Sequence, residues 1–349
     1  MINNSFFSTE ILRWFRENGR DLPWRETRDP YAIWLSEIIL QQTRIAQGWE
    51  YWERFMQTYP KVEDLAAASE DDVLKLWQGL GYYSRARNLH TAAKQIVALG
   101  AFPNTLEGIK SLKGVGDYTA AAIGSFAFDI PAAVVDGNVY RVLSRYFGID
   151  TPINSTQGKK EFAALAQSLL PASDAASYNQ GMMDFGAIQC TPQSPKCLLC
   201  PLAETCEALR CGRVEELPVK NKTVKVKTRH LSYIYIRCKS SAVDDTGKSE
   251  PMIAIHRRGE GDIWQGLWEP YNVSDVKELP SFVKNPILLA KDVKHVLTHR
   301  ILLADFYLLE TESRPQLPDD YIWIRESEIE DYGVPRLIEI MLEKINPVE

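Results

Sequence analysis

The sequence predicts a two-domain protein, with an all-α first domain over residues 1–212, a linker over 213–229 and a smaller α/β or α+β domain over 230–349. Three observations predict it. At 349 residues the chain exceeds what one compact core usually holds. From Ser5 to about Arg210 apolar residues recur at helical spacing between capping residues, and no run of alternating β-branched residues intervenes. After Gly212 the texture changes: Glu215 to Arg229 is polar, contains Pro218 and alternates Lys with Val or Thr, as an extended linker would.

In chain order, Ser8 is expected to cap a first helix ending at Gly19, Asp29 and Pro30 to open a second, and Ser69 to open another before the Gly79 to Gly81 turn. Thr105, Asp117, Gly137 and Ser155 sit near further helix starts. Beyond the linker, LSYIYIRC from Leu231, then MIAIHRR, then ILLADFYLL read as short strands, and a helix follows from Pro335 to Lys344. There is no internal repeat and no low-complexity tract.

Composition excludes several classes. Hydrophobic residues at 45% and charged residues at 25% fit neither a disordered nor a membrane protein. The first residues, MINNSFFSTEILRWFREN, lack a basic start, and Glu10 interrupts their apolar run, so no secretion signal is read there. No stretch approaches the roughly 18 uncharged apolar residues of a membrane span. A cytoplasmic protein is expected. The net charge of −6 argues by itself against nucleic acid. Placement qualifies the total, because Arg85, Arg87, Lys94, Lys110 and Lys113 form one basic run and Lys220, Lys222, Lys225, Lys227 and Arg229 another. Each run is either a solvated face or a phosphate-binding one.

Four of the six cysteines fall in CTPQSPKCLLCPLAETC, at Cys190, Cys197, Cys200 and Cys206, while Cys211 and Cys238 stand apart. Such bunching without an export signal reads as metal ligation rather than disulfides. Four thiolates suit tetrahedral zinc or a [4Fe–4S] cube, and the single close pair is less like a zinc ribbon. Arg141 lies either against such a cluster or at the surface.

Three further positions can carry chemistry. In LKGVGDYTAAAIGSFAF, Gly114 and Gly116 permit a tight turn and a close approach before a helix whose first N–H groups point outward, which suits a phosphate or a plain helical corner. Asp136, before Gly137 and Asn138, either caps the next helix or acts with a partner group. Glu37 in PYAIWLSEIILQQT has Ile33, Trp34, Ile38 and Leu40 as helical neighbours, so burial would raise its pKa and let it hold a proton near neutrality. The alternative is an exposed Glu37, or one paired with Arg44.

Together LSEIILQQT at 35–43, GLGYYSRARNLH at 79–90, LKGVGDYTAAAI at 112–123, VDGNVYRVLSR at 135–145 and the cysteine spacing resemble the helix–hairpin–helix DNA glycosylases, specifically the adenine glycosylases of the MutY type. The resemblance covers nearly the whole chain, strongly to about Cys211 and weakly beyond. It implies a six-helix part over about 29–131, an iron–sulfur part over about 1–28 and 132–212, and a [4Fe–4S] cluster on the four cysteines. It implies a monomeric DNA repair enzyme that flips adenine mispaired with 8-oxoguanine or guanine and cuts it from its sugar. In that family Glu37 matches the acid that protonates N7, and Asp136 the carboxylate that shelters the sugar cation, as in other two-carboxylate glycoside cleavages. Tyr118 and Asn138 match residues that support this pair. Trp24, Arg25 and Gln180 resemble the lining of the adenine pocket, although Trp24 and Gln180 also suit ordinary core and cap positions. Gln42 and Tyr82 match residues wedged into the base stack. Lys196, in the cysteine loop, is placed against DNA phosphates.

Bifunctional relatives similar to endonuclease III carry a lysine two residues after the second hairpin glycine; here it is Tyr118, which cannot form a Schiff base. Some adenine glycosylases have a lysine where this chain has Tyr140. The second domain resembles the MutT-like, Nudix-fold extension that reads 8-oxoguanine: GLWEP at 266–270 fits, without the glutamate set of a pyrophosphatase. The family's Phe-Ser-His loop appears as Leu297, Thr298 and His299, which keeps a hydroxyl and an imidazole and loses the ring. A lyase for oxidised pyrimidines and a non-catalytic DNA-binding module are the competing readings; Tyr118 argues against the first and the two carboxylates against the second.

Overall fold

A computed structural model of the chain describes residues 4–221, 226–243, 249–274, 279–280 and 282–346. Lys222 and Lys225 of the second basic run lie outside the described residues. The helices are α1 (Asn4–Asn18), α2 (Pro30–Ile39), α3 (Ile45–Thr58), α4 (Val62–Ala67), α5 (Glu70–Leu76), α6 (Ser84–Leu99), α7 (Leu106–Lys110), α8 (Asp117–Phe128), α9 (Gly137–Phe147), α10 (Thr156–Leu169), α11 (Ala175–Asp184), α12 (Glu207–Arg210) and α13 (Arg336–Ile345). The strands are β1 (Lys227–Val243), β2 (Ser249–Arg257), β3 (Trp268–Ser274), β4 (Ile287–Val296), β5 (Arg300–Thr311) and β6 (Tyr321–Arg325). Among the described residues no helix is long and apolar enough to cross a membrane.

The chain divides into two compact units, residues 1–67 with 91–222 and residues 68–90 with 223–349. The division differs from the boundary expected at 212–230, because α5 belongs to the second unit. There Leu74 approaches Gly266, and Arg257 pairs with Glu70 at 2.8 Å and Asp71 at 3.1 Å. The expected linker is shorter too. β1 already begins at Lys227, which aligns with Arg300 in a parallel ladder with β5.

Local capping sets several helix starts. In the first unit Asp29 accepts the Tyr31 N–H, Thr105 that of Gly108 and Ser155 that of Gly158, and in the second Ser69 accepts that of Asp72, each satisfying an otherwise orphaned donor. Ser8 corrects the expectation: it sits inside α1, and its hydroxyl donates to the Leu169 carbonyl at 2.6 Å. That bond ties α1 to α10, and Phe7, Ile11 and Trp14 complete a core with Val139, Leu143, Phe162 and Phe185 from the later helices. A separate packing joins α2 to α3 and α8.

The second unit is a six-stranded mixed sheet in the order β4-β5-β1-β3-β2-β6. Alternation along β1 sends Leu231, Tyr233 and Tyr235 to one face, where Phe306, Leu337 and Met341 pack, and Ile234 and Ile236 to the other with Ala254 and Leu309. The sequence reading missed β3, β4 and β6. Pro270 masks β3, register shifts around Leu288 to Val293 break the period of β4, and β6 is only five residues long. Phe306→Ala, at a fully buried position, is expected to cost about 3–5 kcal/mol of stability. Chemical denaturation of the variant against the parent chain measures it.

Candidate active site and cysteine centre

Glu37 lies in the last turn of α2, a helix buried on every side from Tyr31 to Ile39, and is itself only 7% exposed. The Tyr118 hydroxyl, near the start of α8, donates to Glu37 Oε2 at 2.7 Å. Burial pushes Glu37 up to about 7; the Tyr118 hydrogen bond opposes this, the nearby Asp136 adds to it and Arg25 works against it. Glu37 is therefore neither exposed nor ion-paired with Arg44 among the described contacts. It is a carboxyl that carries its proton near neutral pH. Burial, with Glu37 and Asp136 close by, also raises the Tyr118 phenol well above its ordinary value.

Asp136 is both a cap and a member of this site. Its Oδ1 accepts the Val139 N–H at 2.7 Å at the N-terminus of α9, and its Oδ2 accepts from the Asn138 side-chain amide at 2.8 Å. Burial raises its pKa, while these bonds and Arg141 favour the anion. Glu37, Asp136, Tyr118 and Asn138 line one cavity of about 310 Å³, together with Trp24, Arg25 and Gln180. Trp24 packs edge-on against Trp49 and Trp52, with ring centroids 5.9 and 5.8 Å away, so it serves core and cavity at once. Sequence reasoning missed Arg20 and Met183 in the lining. Arg20 looks like one more surface cation until its partner, Asp184, is known.

The other expected site residues lie elsewhere. Gln42 is exposed at φ 59° and does not line the cavity. Tyr82, at φ 48° and half exposed, bonds through its hydroxyl to Thr298 Oγ1 at 2.5 Å, so two of the expected recognition residues meet within the second unit. Thr298 and His299 form the exposed turn between β4 and β5, closed by Leu297 N–H to the Arg300 carbonyl at 2.8 Å. The glutamate of GLWEP, Glu269, is fully buried and held by Arg258 at 2.5 and 2.6 Å. Gly114 sits at φ 79°, which only glycine adopts readily; Gly116 has ordinary backbone but open space where a Cβ would stand. Both are exposed beside the first N–H groups of α8. Arg85 is no solvated cation: it covers Trp77 and Tyr82, and burial brings it down to about 10. Arg87 donates to the Gln265 carbonyl at 2.6 Å.

Behind Asp136, Arg141 is buried and donates to Asn138 Oδ1 at 2.8 Å, to the Gly186 carbonyl at 2.6 Å and to the Cys190 carbonyl at 2.8 Å. The segment Phe185–Gln189 is a π turn whose closing bond runs from Cys190 N–H to the Phe185 carbonyl at 2.7 Å. It presses Gly186 against α9 so closely that an added Cβ would lie 2.5 Å from Asn138 Cβ.

Cys190, Cys197, Cys200 and Cys206 surround one small void of about 30 Å³, and none is in a disulfide. Among the described residues no group of His, Cys, Asp or Glu is placed to hold a single metal ion. The residue missed here is Arg145. It is buried, reaches Cys190 Sγ at 3.4 Å, and pins the loop through the carbonyls of Thr191, Pro192 and Leu217. Burial pushes the Cys200 thiol up to about 11, so these groups need positive charge among them to stand as thiolates. The donor set, the void and the guanidinium fit a cysteine-ligated iron–sulfur cluster. Cys200→Ser is expected to lower bound iron and the visible absorbance per chain, read by metal analysis and spectrophotometry; unchanged iron content would contradict the assignment.

Residues 35–171 match the family model of the HhH-GPD superfamily base excision DNA repair proteins, residues 190–206 the iron-sulfur binding domain of endonuclease III, and residues 247–344 the NUDIX domain. The adenine DNA glycosylase of Buchnera aphidicola subsp. Acyrthosiphon pisum (strain APS) is 31% identical, over 97% of this chain and 97% of its own. The mouse adenine DNA glycosylase is 43% identical over 61% of this chain, which spans 44% of that longer relative. Among solved structures, a thermostable thymine-DNA glycosylase aligns with TM-score 0.56 and 34% identity over 60% of this chain and 97% of its own. Endonuclease III in a DNA complex shares the fold, with TM-score 0.53 and 23% identity over 61% of this chain and 99% of its own. With its paired acids and cysteine centre, which is a [4Fe–4S] site, the chain belongs to the adenine DNA glycosylase family of the HhH-GPD superfamily.

Proposed function

We propose that this chain is a monofunctional DNA glycosylase that hydrolyses the N-glycosidic bond of adenine opposite 8-oxoguanine or guanine in duplex DNA, working as a cytoplasmic monomer. One observation carries the reading: a buried and a half-buried carboxyl group share a 310 Å³ cavity, and burial pushes the first, Glu37, up to about 7.

The adenine turned out of the duplex enters beside Trp24, Arg25 and Gln180. Protonated Glu37 gives its proton to N7, and the C1′–N9 bond breaks with its electron pair passing to the purine. The positive charge left on the sugar faces Asp136, and water adds to C1′ as its proton passes to the Glu37 carboxylate, which restores the acid. Asp136 suits this role because Val139 and Asn138 fix both its oxygens. Tyr118, where a lyase has an amine, supports Glu37 by hydrogen bond and offers no nucleophile for a Schiff base. Gln42 and Tyr82 enter the base stack, Thr298 and His299 read the opposite base, and Gly114, Gly116 and Lys196 meet phosphates. In this reading the NUDIX-like unit recognises the lesion and hydrolyses no pyrophosphate. The cluster supplies a rigid clamp for the loop from Cys190 to Cys206.

A second reading, removal of thymine, has the 34% identity to a thymine-DNA glycosylase in its favour. Single-turnover assays on adenine opposite 8-oxoguanine, guanine, cytosine or thymine, and on thymine opposite guanine, separate the two. Rapid release confined to thymine would reject the adenine assignment. Glu37→Gln and Asp136→Asn are each expected to slow base release by about 10²-fold or more with duplex affinity little changed in a gel-shift titration. Because Glu37 acts protonated and burial brings it to about 7, the rate should fall about tenfold per unit above that value, hold below it, and fall again only where Asp136, itself raised by burial, takes up a proton. Borohydride added to enzyme and abasic duplex should trap no covalent adduct; high-yield trapping would restore the lyase reading.

A further inference from the structure

The cavity holds cations that could cancel its own proton donor, and the structure shows what occupies them. Asp184, the last residue of α11, is fully buried. Its carboxylate receives a two-pronged contact from Arg25, Nη1 to Oδ2 at 2.9 Å and Nη2 to Oδ1 at 2.8 Å. Arg20 adds its backbone N–H at 2.9 Å and its side chain, and the Arg20 carbonyl takes a further Arg25 bond at 3.0 Å. The Phe15 ring covers the same guanidinium at 5.6 Å. Arg25 and Glu37 line one cavity, yet the contact Glu37 makes is with Tyr118.

We propose that Asp184 is a positioning residue that keeps the Arg25 guanidinium engaged, so that it cannot form an ion pair with Glu37. The inference rests on the reading of Glu37 as proton donor. An arginine beside a buried carboxyl is its natural partner, since pairing relieves the cost of burying the anion. Such a pair would favour deprotonated Glu37 and remove the acid. A bidentate fork on Asp184 occupies the same N–H groups, and burial there makes exchange to another carboxylate costly. The two guanidinium groups hold Asp184 below the usual carboxylate range although burial alone would raise it, so the clamp remains charged. The other charged or titratable groups facing Glu37 are Tyr118 from α8, Asp136 at α9, and Arg20 and Arg44 in the cavity lining.

The test is the pH dependence of single-turnover adenine release by the full, cluster-loaded chain. Asp184→Asn frees Arg25, and the alkaline limb should move to lower pH, so that the ratio of rates at pH 5.5 and pH 7.5 grows about sixfold over the parent enzyme for a movement of one unit down from about 7. Removing the freed cation in Asp184→Asn with Arg25→Leu should return the limb to its original position or above it, since Arg25 already lowers Glu37 in the parent, even though the rate is lower. A uniform fall at every pH, or a shift that persists without Arg25, overturns the proposal. If Asp184→Asn does not fold, Arg25→Lys carries the test: its single ammonium cannot fork onto both Asp184 oxygens, and the limb should move in the same direction. An unmoved limb in that variant overturns it. Retained turnover in Glu37→Gln would instead overturn the donor assignment beneath it, a result distinct from an unmoved limb.

Discussion

The site depends on the exclusion of water from one carboxyl. A solvated glutamate would be ionised at neutral pH and useless as an acid; Glu37 stays near its titration point because α2 is surrounded by apolar contacts throughout its length. That arrangement is expensive, since a polar group without water must find a partner. Tyr118 meets the need with a single hydrogen bond, enough to satisfy the group while burial still prevails. A stronger partner would ionise it. Much of the surrounding structure can be understood as holding stronger partners elsewhere.

Two chemically similar side chains take opposite tasks through their backbone addresses. Glu37 projects from the end of a wholly buried helix. Asp136 stands at a helix start, where N–H groups and the helix dipole welcome negative charge. The same address ties chemistry to cofactor, because Arg141 joins Asn138, the π turn and the Cys190 carbonyl in one buried junction. The cysteine loop and the catalytic anion therefore share a common support.

What could be read in the sequence was mostly local. Caps at Asp29, Ser69, Thr105 and Ser155 act on backbone two or three residues away, and their residue types announce them. Ser8 looked the same, but its hydroxyl serves a carbonyl 161 residues distant. Arg20 and Arg145 failed to stand out for that reason: a lone arginine just past a helix or inside one looks solvated, and only the fold reveals buried acceptors 164 residues away for one and up to 72 for the other. Glu37 was visible because a charge among Ile, Trp and Leu is anomalous on any helix face. That Tyr118 would reach it across 81 residues came from resemblance, not from pattern. The grouping of residues 68–90 with the second unit had no local sign at all.

The π turn at Phe185–Gln189 also governs what mutations this region can accept. It holds one residue more per turn than an α-helix, and deleting any of its members would rotate Cys190 by about 100° out of register with its three companions. Except at Gly186, where an added Cβ would meet Asn138, substitutions alter only side chains here, whereas insertions and deletions would misalign cluster and anion together. Over evolutionary time the stretch from Asp184 to Cys190 should therefore keep its length, with changes of residue confined to positions other than Asp184, Gly186 and Cys190.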